Sequence, residues 1–117
     1  MAAKSFRELV AWQRAIELTT ALYRLTQQFP REEIYGLTSQ LRRAGVSAAS
    51  NIAEGYGRRT RGEYRSFLGI ARGSTLEIQT QLVIARGLGF GDEREIARAE
   101  ELAEETSKLL WVIAQRL

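Results

Sequence analysis

Apolar residues recur along this chain at intervals of three and four, and no stretch alternates with the period of two that a half-buried strand needs, so the pattern predicts helices throughout. Ser5 and Glu8 have the spacing of a reciprocal cap, in which each side chain satisfies a free N–H of a first helical turn. Leu9, Trp12, Ile16, Thr19, Tyr23 and Thr26 follow as one stripe. Phe29 and Pro30 end this helix, because proline bars the residue before it from the helical region. Arg31 to Gly36 reads as a connector with a short turn, and Thr38 as the cap of a second helix.

The second helix carries Leu37, Leu41, Ala44, Ala48 and Ile52 on one face and Val46, Ala49 and Ala53 on the opposite one. It is therefore predicted to have two neighbours. A polar line, Gln40, Arg43, Ser47, Asn51 and Glu54, runs between those faces and is expected to set register between helices or subunits. Gly55 and Gly57 are expected to supply the left-handed conformations that stop the helix. Thr60 and Glu63 repeat the capping pattern and open a third helix with a core face of Tyr64, Phe67, Leu68, Ala71, Thr75, Ile78, Leu82 and Ala85. Its far side, Ser66, Gly69, Gly73 and Thr80, is nearly bare, and glycines at a four-residue spacing predict the close approach of another backbone. After the turn RGLGFGD, from Arg86 to Asp92, Asp92 and Glu95 give a third cap. Ile96, Ala99, Ala103, Thr106, Leu110, Ile113 and Leu117 then form a coiled-coil-like seam. Four helices joined by short turns predict an all-α fold, an up-down-up-down antiparallel four-helix bundle filling residues 1–117 as one domain.

Composition narrows the chemistry. The chain has 117 residues, 44% hydrophobic and 26% charged, the balance of a compact globule and not of a disordered segment. No apolar run reaches the roughly 18 residues of a membrane span, and MAAKSF lacks the apolar core of a signal peptide, so the expected location is the cytoplasm and no membrane partner is expected. There is no cysteine and no histidine, which excludes disulfides, thiolate chemistry, Ser/His triads and ordinary zinc sites. Ser47, Ser50, Asn51 and Glu54 lie close together on the second helix, but a serine nucleophile needs a base that this chain does not offer, and hydrogen bonding across a helix interface accounts for them. Glu100, Glu101, Glu104 and Glu105 read as a solvated face. Neither an enzyme activity nor a cofactor or metal is expected.

The net charge of +3 conceals a segregation: Arg42, Arg43, Arg58, Arg59, Arg61, Arg65 and Arg72 lie mid-chain, while glutamates crowd the end. Arg58, Arg59 and Arg61 precede a helix N-terminus that already favours an anion, and Arg65 sits one turn inside it. Tyr56 and Tyr64 flank the cluster and offer faces for unpaired bases. The predicted nucleic-acid-binding set is Arg42, Arg43, Tyr56, Arg58, Arg59, Arg61, Tyr64 and Arg65, against the alternative of a soluble surface turn. GYGRRTRG is not a phosphate-cradling P-loop, since it lacks the lysine and the preceding strand. Val46, Ala49, Ala53, Gly69 and Gly73 fall outside the stripe one bundle can bury, so either an irregular bundle covers them or they form an oligomer interface.

SFRELVAWQRA, FPREEIYGLTSQLRRAGVSAASNIAEGYGR and YRSFLGIARGSTLEIQTQL resemble the family named for intervening sequences of 23S ribosomal RNA genes, with LTSQLRRA, SNIAEG and ARGS as its most specific elements. The resemblance covers nearly the whole chain through Phe90. It implies a four-helix bundle that assembles into a ring-like homopentamer without known enzymatic activity. The same superfamily contains, more distantly, the accessory protein of diversity-generating retroelements, a basic pentamer that works with a reverse transcriptase and nucleic acid. Two functions are thereby expected as alternatives: an oligomer that binds structured RNA or DNA through the basic residues, or a protein-interaction scaffold or reverse-transcriptase accessory subunit with no direct nucleic-acid role.

Overall fold

In the computed structural model, which describes residues 4–117, the helices run α1 Val10–Thr26, α2 Leu37–Tyr56, α3 Arg61–Gly87 and α4 Glu93–Gln115, with short 3-10 helices at Phe6–Glu8 and Arg31–Tyr35. The first three residues of MAAKSF lie outside the described residues. Each long helix packs on two others in the cycle α1–α2–α3–α4, and the backbones of the diagonal pairs stay more than 8 Å apart between Cα atoms among the described residues. Cross-helix contacts show the directions. Arg42 meets Thr26 while Gly45 meets Thr19, Gln40 meets Gln81 while Ser47 meets Ser74, and Gln28 meets Glu95 while Arg14 meets Glu105. Between α3 and α4, Arg86 meets Glu93 and Arg72 meets Trp111. Numbers rise on one helix as they fall on its neighbour in every case, so the bundle is up-down-up-down.

The interior has two apolar clusters. Leu18, Leu22, Leu25, Phe29, Leu41, Ile78, Leu82, Ile96 and Leu102 fill one, and Ala11, Ala15, Ala49, Ile52, Leu68, Ala71 and Leu110 fill the other. Thr75 and Thr106 are fully buried, and each hydroxyl donates to a carbonyl of its own helix, Arg72 or Leu102, so these polar groups enter the core without an orphaned donor. The core faces expected for α2, α3 and α4 are those observed. In α1 the face is rotated: Ala11, Ala15, Leu18, Leu22 and Leu25 point inward, whereas Ile16 and Tyr23 are 40% and 42% exposed. This helix has two apolar stripes, and the one rich in leucine and alanine packs inward, leaving the amphipathic ring of Trp12 half-buried and that of Tyr23 exposed.

Three local expectations are corrected. The Ser5–Glu8 pattern caps the short 3-10 helix and not α1: Ser5 Oγ accepts from the Arg7 N–H, Leu9 is extended, and Phe6 folds back edge-on to Trp12. Thr38 is buried inside α2, and the carboxylate of Glu33 accepts from the Leu37 N–H in the capping role. Gly55 and Gly57 are not left-handed; α2 runs through Gly55, and Gly57 has φ −81°. Gly55 serves close packing instead. A Cβ there would lie 2.7 Å from Cβ of Phe67 and 3.2 Å from Cδ1 of Tyr64, so the backbone approach expected at Gly69 and Gly73 occurs here within the chain, while those two face open space. The left-handed glycines are Gly89 and Gly91, in the α3–α4 turn, with Gly91 pressed on Leu25 and Phe29. The caps at Thr60, which accepts from the Glu63 N–H and donates to its carboxylate, and at Asp92 form as expected.

Gly55→Ala should therefore destabilise the fold by about 1–3 kcal/mol in urea unfolding, although alanine is the better helix former; an unchanged or higher midpoint would refute the tight α2–α3 packing. At the other end, Arg86 donates to both carboxylate oxygens of Glu100 at 2.6 and 2.7 Å and to Glu93 at 2.8 Å. These hydrogen bonds hold the Glu100 carboxyl below its ordinary value. A depressed folded value means that the stabilisation is complete above the unfolded value of about 4.3 and is lost as pH falls through the folded one. Glu100→Gln should thus flatten the acid side of a Tm-against-pH curve, and an acid side as steep as in the wild type would show that the pair contributes nothing.

Candidate nucleic-acid interface

The turn between α2 and α3 contains only Gly57 to Thr60, because α2 runs to Tyr56 and α3 begins at Arg61. A reversal this short has no interior for long side chains, so Arg58, Arg59, Arg61 and Arg65 are all exposed. Arg58 lies on the face of Phe67, its guanidinium carbon 4.6 Å from the ring centroid, a contact that restricts the exposed side chain. Tyr56 and Tyr64 meet edge to face with centroids 6.2 Å apart. Burial, and then the proximity of Tyr56, push the Tyr64 phenol above its ordinary value, so it is a neutral hydroxyl at physiological pH. Both rings are half-buried beside the turn.

Charge pairing separates this turn from the rest of the surface. The ion pairs of the described residues join Arg14, Arg86, Arg98 and Lys108 to glutamates at 17, 93, 100, 101, 104 and 105, along α4 and its two neighbours. None of them reaches Arg58, Arg59, Arg61 or Arg65. Cations from α1, α3 and α4 itself thus take up much of the acidic crowding of the sequence, while the arginines at and after the turn join no ion pair, the carboxylate among them, Glu63, being bonded to Thr60.

Arg42 and Arg43 do not join this cluster. They sit about 20 Å along α2 from the turn at 1.5 Å per residue. Arg42 is also occupied: Nε donates to Thr26 Oγ1 at 2.8 Å, Nη2 to the Tyr23 carbonyl at 3.4 Å, and the guanidinium lies over the Tyr23 ring. Arg43 lines a polar groove of about 420 Å³ between α2 and α3 with Gln40, Ser47, Ser74, Glu77 and Gln81. The expected polar line is realised here as a register ladder: Gln81 donates to Gln40, Ser74 to Ser47, and Asn51 back to the Ser47 carbonyl and hydroxyl. Gln81 and Ser74 were not anticipated as site residues. Their signal was available, since Ser74 and Gln81 are seven residues apart, as are Gln40 and Ser47, and antiparallel neighbours of equal spacing pair twice.

The small-residue positions also divide. Ala49 is 7% exposed and belongs to the core, so the bundle covers it itself, and Ala53 is half-covered. Val46, Gly69 and Gly73 stay open. On α3, Gly69, Gly73, Leu76, Thr80 and Val83 follow spacings of four and three on the face away from the core, a second uncharged seam on which Val83 is 62% exposed. Beside it, Arg72 stacks on Trp111 at 5.2 Å in a groove of about 560 Å³. Among the described residues, no group of three or more His, Cys, Asp or Glu side chains gathers as metal ligands would, and no helix is long and apolar enough to cross a membrane.

Comparison with known proteins places this geometry. No curated protein matches the chain. The crystal structure of a protein of unknown function from the S23 ribosomal protein family of Bacteroides thetaiotaomicron superposes with a TM-score of 0.79 over 89% of this chain and 97% of that one, at 19% sequence identity, a likeness of fold. The sequence profile of the 23S rRNA-intervening sequence proteins matches residues 7–112, which span all but the last turn of α4 and the first residues of the chain; the protein belongs to that family.

Proposed function

We propose that this protein is a non-enzymatic, cytoplasmic oligomer that binds structured RNA by its phosphate backbone, with Arg58, Arg59, Arg61 and Arg65 as the contacting residues. One observation carries the reading: Arg58 and Arg59 in the α2–α3 turn and Arg61 and Arg65 in the first turns of α3 are exposed and join none of the ion pairs of the described residues, whereas the arginines packed along α4 are tied to glutamates. A guanidinium fork that is free of carboxylates and backed by an aromatic ring suits phosphate oxygens. The first turn of α3 adds unpaired N–H groups and the positive end of its dipole, part of which the Glu63 side chain already occupies. Such contacts position a nucleic acid without specifying its sequence. Arg42 stands apart from this set, because two of its five donors are engaged within the chain and it lies farther along α2.

The second seam of α3 supports assembly. An exposed, uncharged heptad stripe opposite the core is the kind of surface that another helix covers, and a ring of copies would bring several basic turns to one ligand. The same seam also supports the alternative, a scaffold that presents this face to a protein partner such as a polymerase.

Filter binding of ribosomal RNA fragments across a salt series should show affinity falling with a log–log slope of about 0.7–0.9 per phosphate engaged. Arg58→Glu combined with Arg59→Glu should weaken binding more than about tenfold at low salt and reduce that slope by about 2. Binding that is indifferent to the double variant would overturn the assignment. For the assembly, light scattering should report a multiple of the 13.2 kDa chain mass, and Leu76→Arg with Val83→Arg should reduce it to the monomer. A monomeric wild type would reject the seam as a self-interface. Protein recovered from cells with a stoichiometric protein partner and no ultraviolet absorbance from nucleic acid would favour the scaffold.

A further inference from the structure

The groove of about 560 Å³ between α3 and α4 has a make-up that core packing does not explain. Arg65 and Arg72 line it, no aspartate or glutamate does, and along its wall a Cβ at Gly69 or Gly73 would meet nothing within 4 Å. Trp111 of α4 is the aromatic part of the lining and is 53% exposed. The Arg72 guanidinium lies 5.2 Å from the centroid of that ring, a contact that positions the side chain without using a donor. Arg72 Nε is buried, but the two outer nitrogens are not, and none of the three has an acceptor among the described residues. Arg65 is exposed and joins no ion pair among them either. A purely apolar occupant would cover two charges that have no partner, which is costly, so the groove favours an anionic one. Spacings of four and seven place Arg61, Arg65 and Arg72 on one side of α3, the last two ~10 Å apart along the axis at 1.5 Å per residue. The groove is therefore continuous with the basic turn, and Arg65 is common to both.

We infer that this groove seats an unpaired nucleotide of the strand that the basic turn holds, with phosphate on Arg65 and on the outer nitrogens of Arg72 and the base packed against the exposed indole of Trp111. Stacking of a base on an aromatic side chain is tolerant of sequence and requires that the base be out of a duplex. The volume is that of an ordinary small-ligand cleft, and the bare glycines leave room for a flat ring beside the indole. The site rests on the RNA-binding reading and adds a distinction to it: the turn grips phosphate in any RNA, whereas the groove selects an unpaired strand. Gly69, Gly73 and Leu76 also belong to the outer seam of α3, so a strand seated here leaves Thr80 and Val83, farther from the turn, to a neighbouring copy.

Full-length protein carrying Trp12→Phe reports on the groove, because Trp111 is then its only tryptophan. Unstructured oligouridylate should quench that fluorescence saturably, and a fully paired duplex with the same number of phosphates should bind without quenching it. In the otherwise wild-type chain, Trp111→Leu, and independently Gly73→Leu, should weaken the single strand at least about fivefold, the lower end for one base stacked on an aromatic ring, and leave duplex affinity unchanged. Arg72→Gln should lower the salt slope of single-strand binding by about 1. Gly73→Leu fills the groove from a position where the new side chain meets nothing and replaces a helical glycine, so its melting temperature should be no lower than that of the wild type, which separates lost binding from lost folding. Absence of quenching, equal losses on both RNAs, or no loss would overturn the inference, even where Arg58→Glu with Arg59→Glu still weakens binding through the turn. A fall in the light-scattering mass of Gly73→Leu with both affinities intact would assign the groove to a second copy and overturn it as well. If the double arginine variant binds the single strand as the wild type does while Trp111→Leu does not, the turn reading fails and the groove stands.

Discussion

The close approach of α2 and α3 is the constraint on which the rest of this bundle depends. It is possible because residue 55 has no side chain: the backbone of α2 comes to rest against Phe67 and Tyr64 where any Cβ would collide. Contact that tight locks the two helices in one axial position, and the consequences extend in both directions along the pair. Toward the turn, it leaves a reversal too short to hide anything long, so the arginines go outward and Thr60 must cap α3 at once. Away from the turn, it sets Ser47 opposite Ser74 and Gln40 opposite Gln81, so the register is held by hydrogen bonds that a slip of one residue would break.

Charge is distributed on a different logic. Exposed ion pairs contribute little to stability one at a time, yet their placement decides where the field remains. Arg14, Arg86 and Arg98 cancel the acidic side of α4, and Arg86 does so with a fork whose two nitrogens reach both oxygens of Glu100. The near-neutral total charge of the chain is therefore compatible with a strongly positive tip. In the proposed RNA-binding role, a phosphate would meet donors not held in an ion pair, and in Arg58 a guanidinium already seated on the Phe67 ring. Pre-ordering lowers the entropy lost on binding.

Much of the architecture was legible beforehand, because it depends on short-range rules. Thr60 with Glu63 and Asp92 with Glu95 announced two helix starts through the reach of one side chain to a backbone N–H three residues on. Leu41, Ala44, Ala48 and Ile52, and likewise Leu68, Ala71, Thr75, Ile78, Leu82 and Ala85, announced their faces by periodicity alone. The failures share a cause. Ser5 and Glu8 have the spacing of a cap, but Phe6 packing on Trp12 turned the segment into a separate 3-10 helix; Thr38 has the chemistry of a cap, but Glu33 reached the N–H first. In α1 two apolar stripes competed, and packing against α2 and α4 buried Leu18 and Leu22 while leaving Ile16 and Tyr23 exposed.

For the stretch from Gln40 to Arg65 the division is sharper. The sequence by itself determined the helices, their antiparallel connection, the basic character of the turn and the family, because composition, periodicity and motif are properties of the chain in any conformation. Tertiary structure alone decided that Gly55 and not Gly69 or Gly73 carries the close approach within the chain. It also decided that Ala49 belongs to the core, that Arg42 is bonded to Thr26 while no ion pair of the described residues reaches Arg58, Arg59, Arg61 or Arg65, and that Gln81 buries an oxygen with no donor among the described residues. Those outcomes depend on which residues from distant positions occupy the same few ångströms, and pairing across that distance has no counterpart in local spacing.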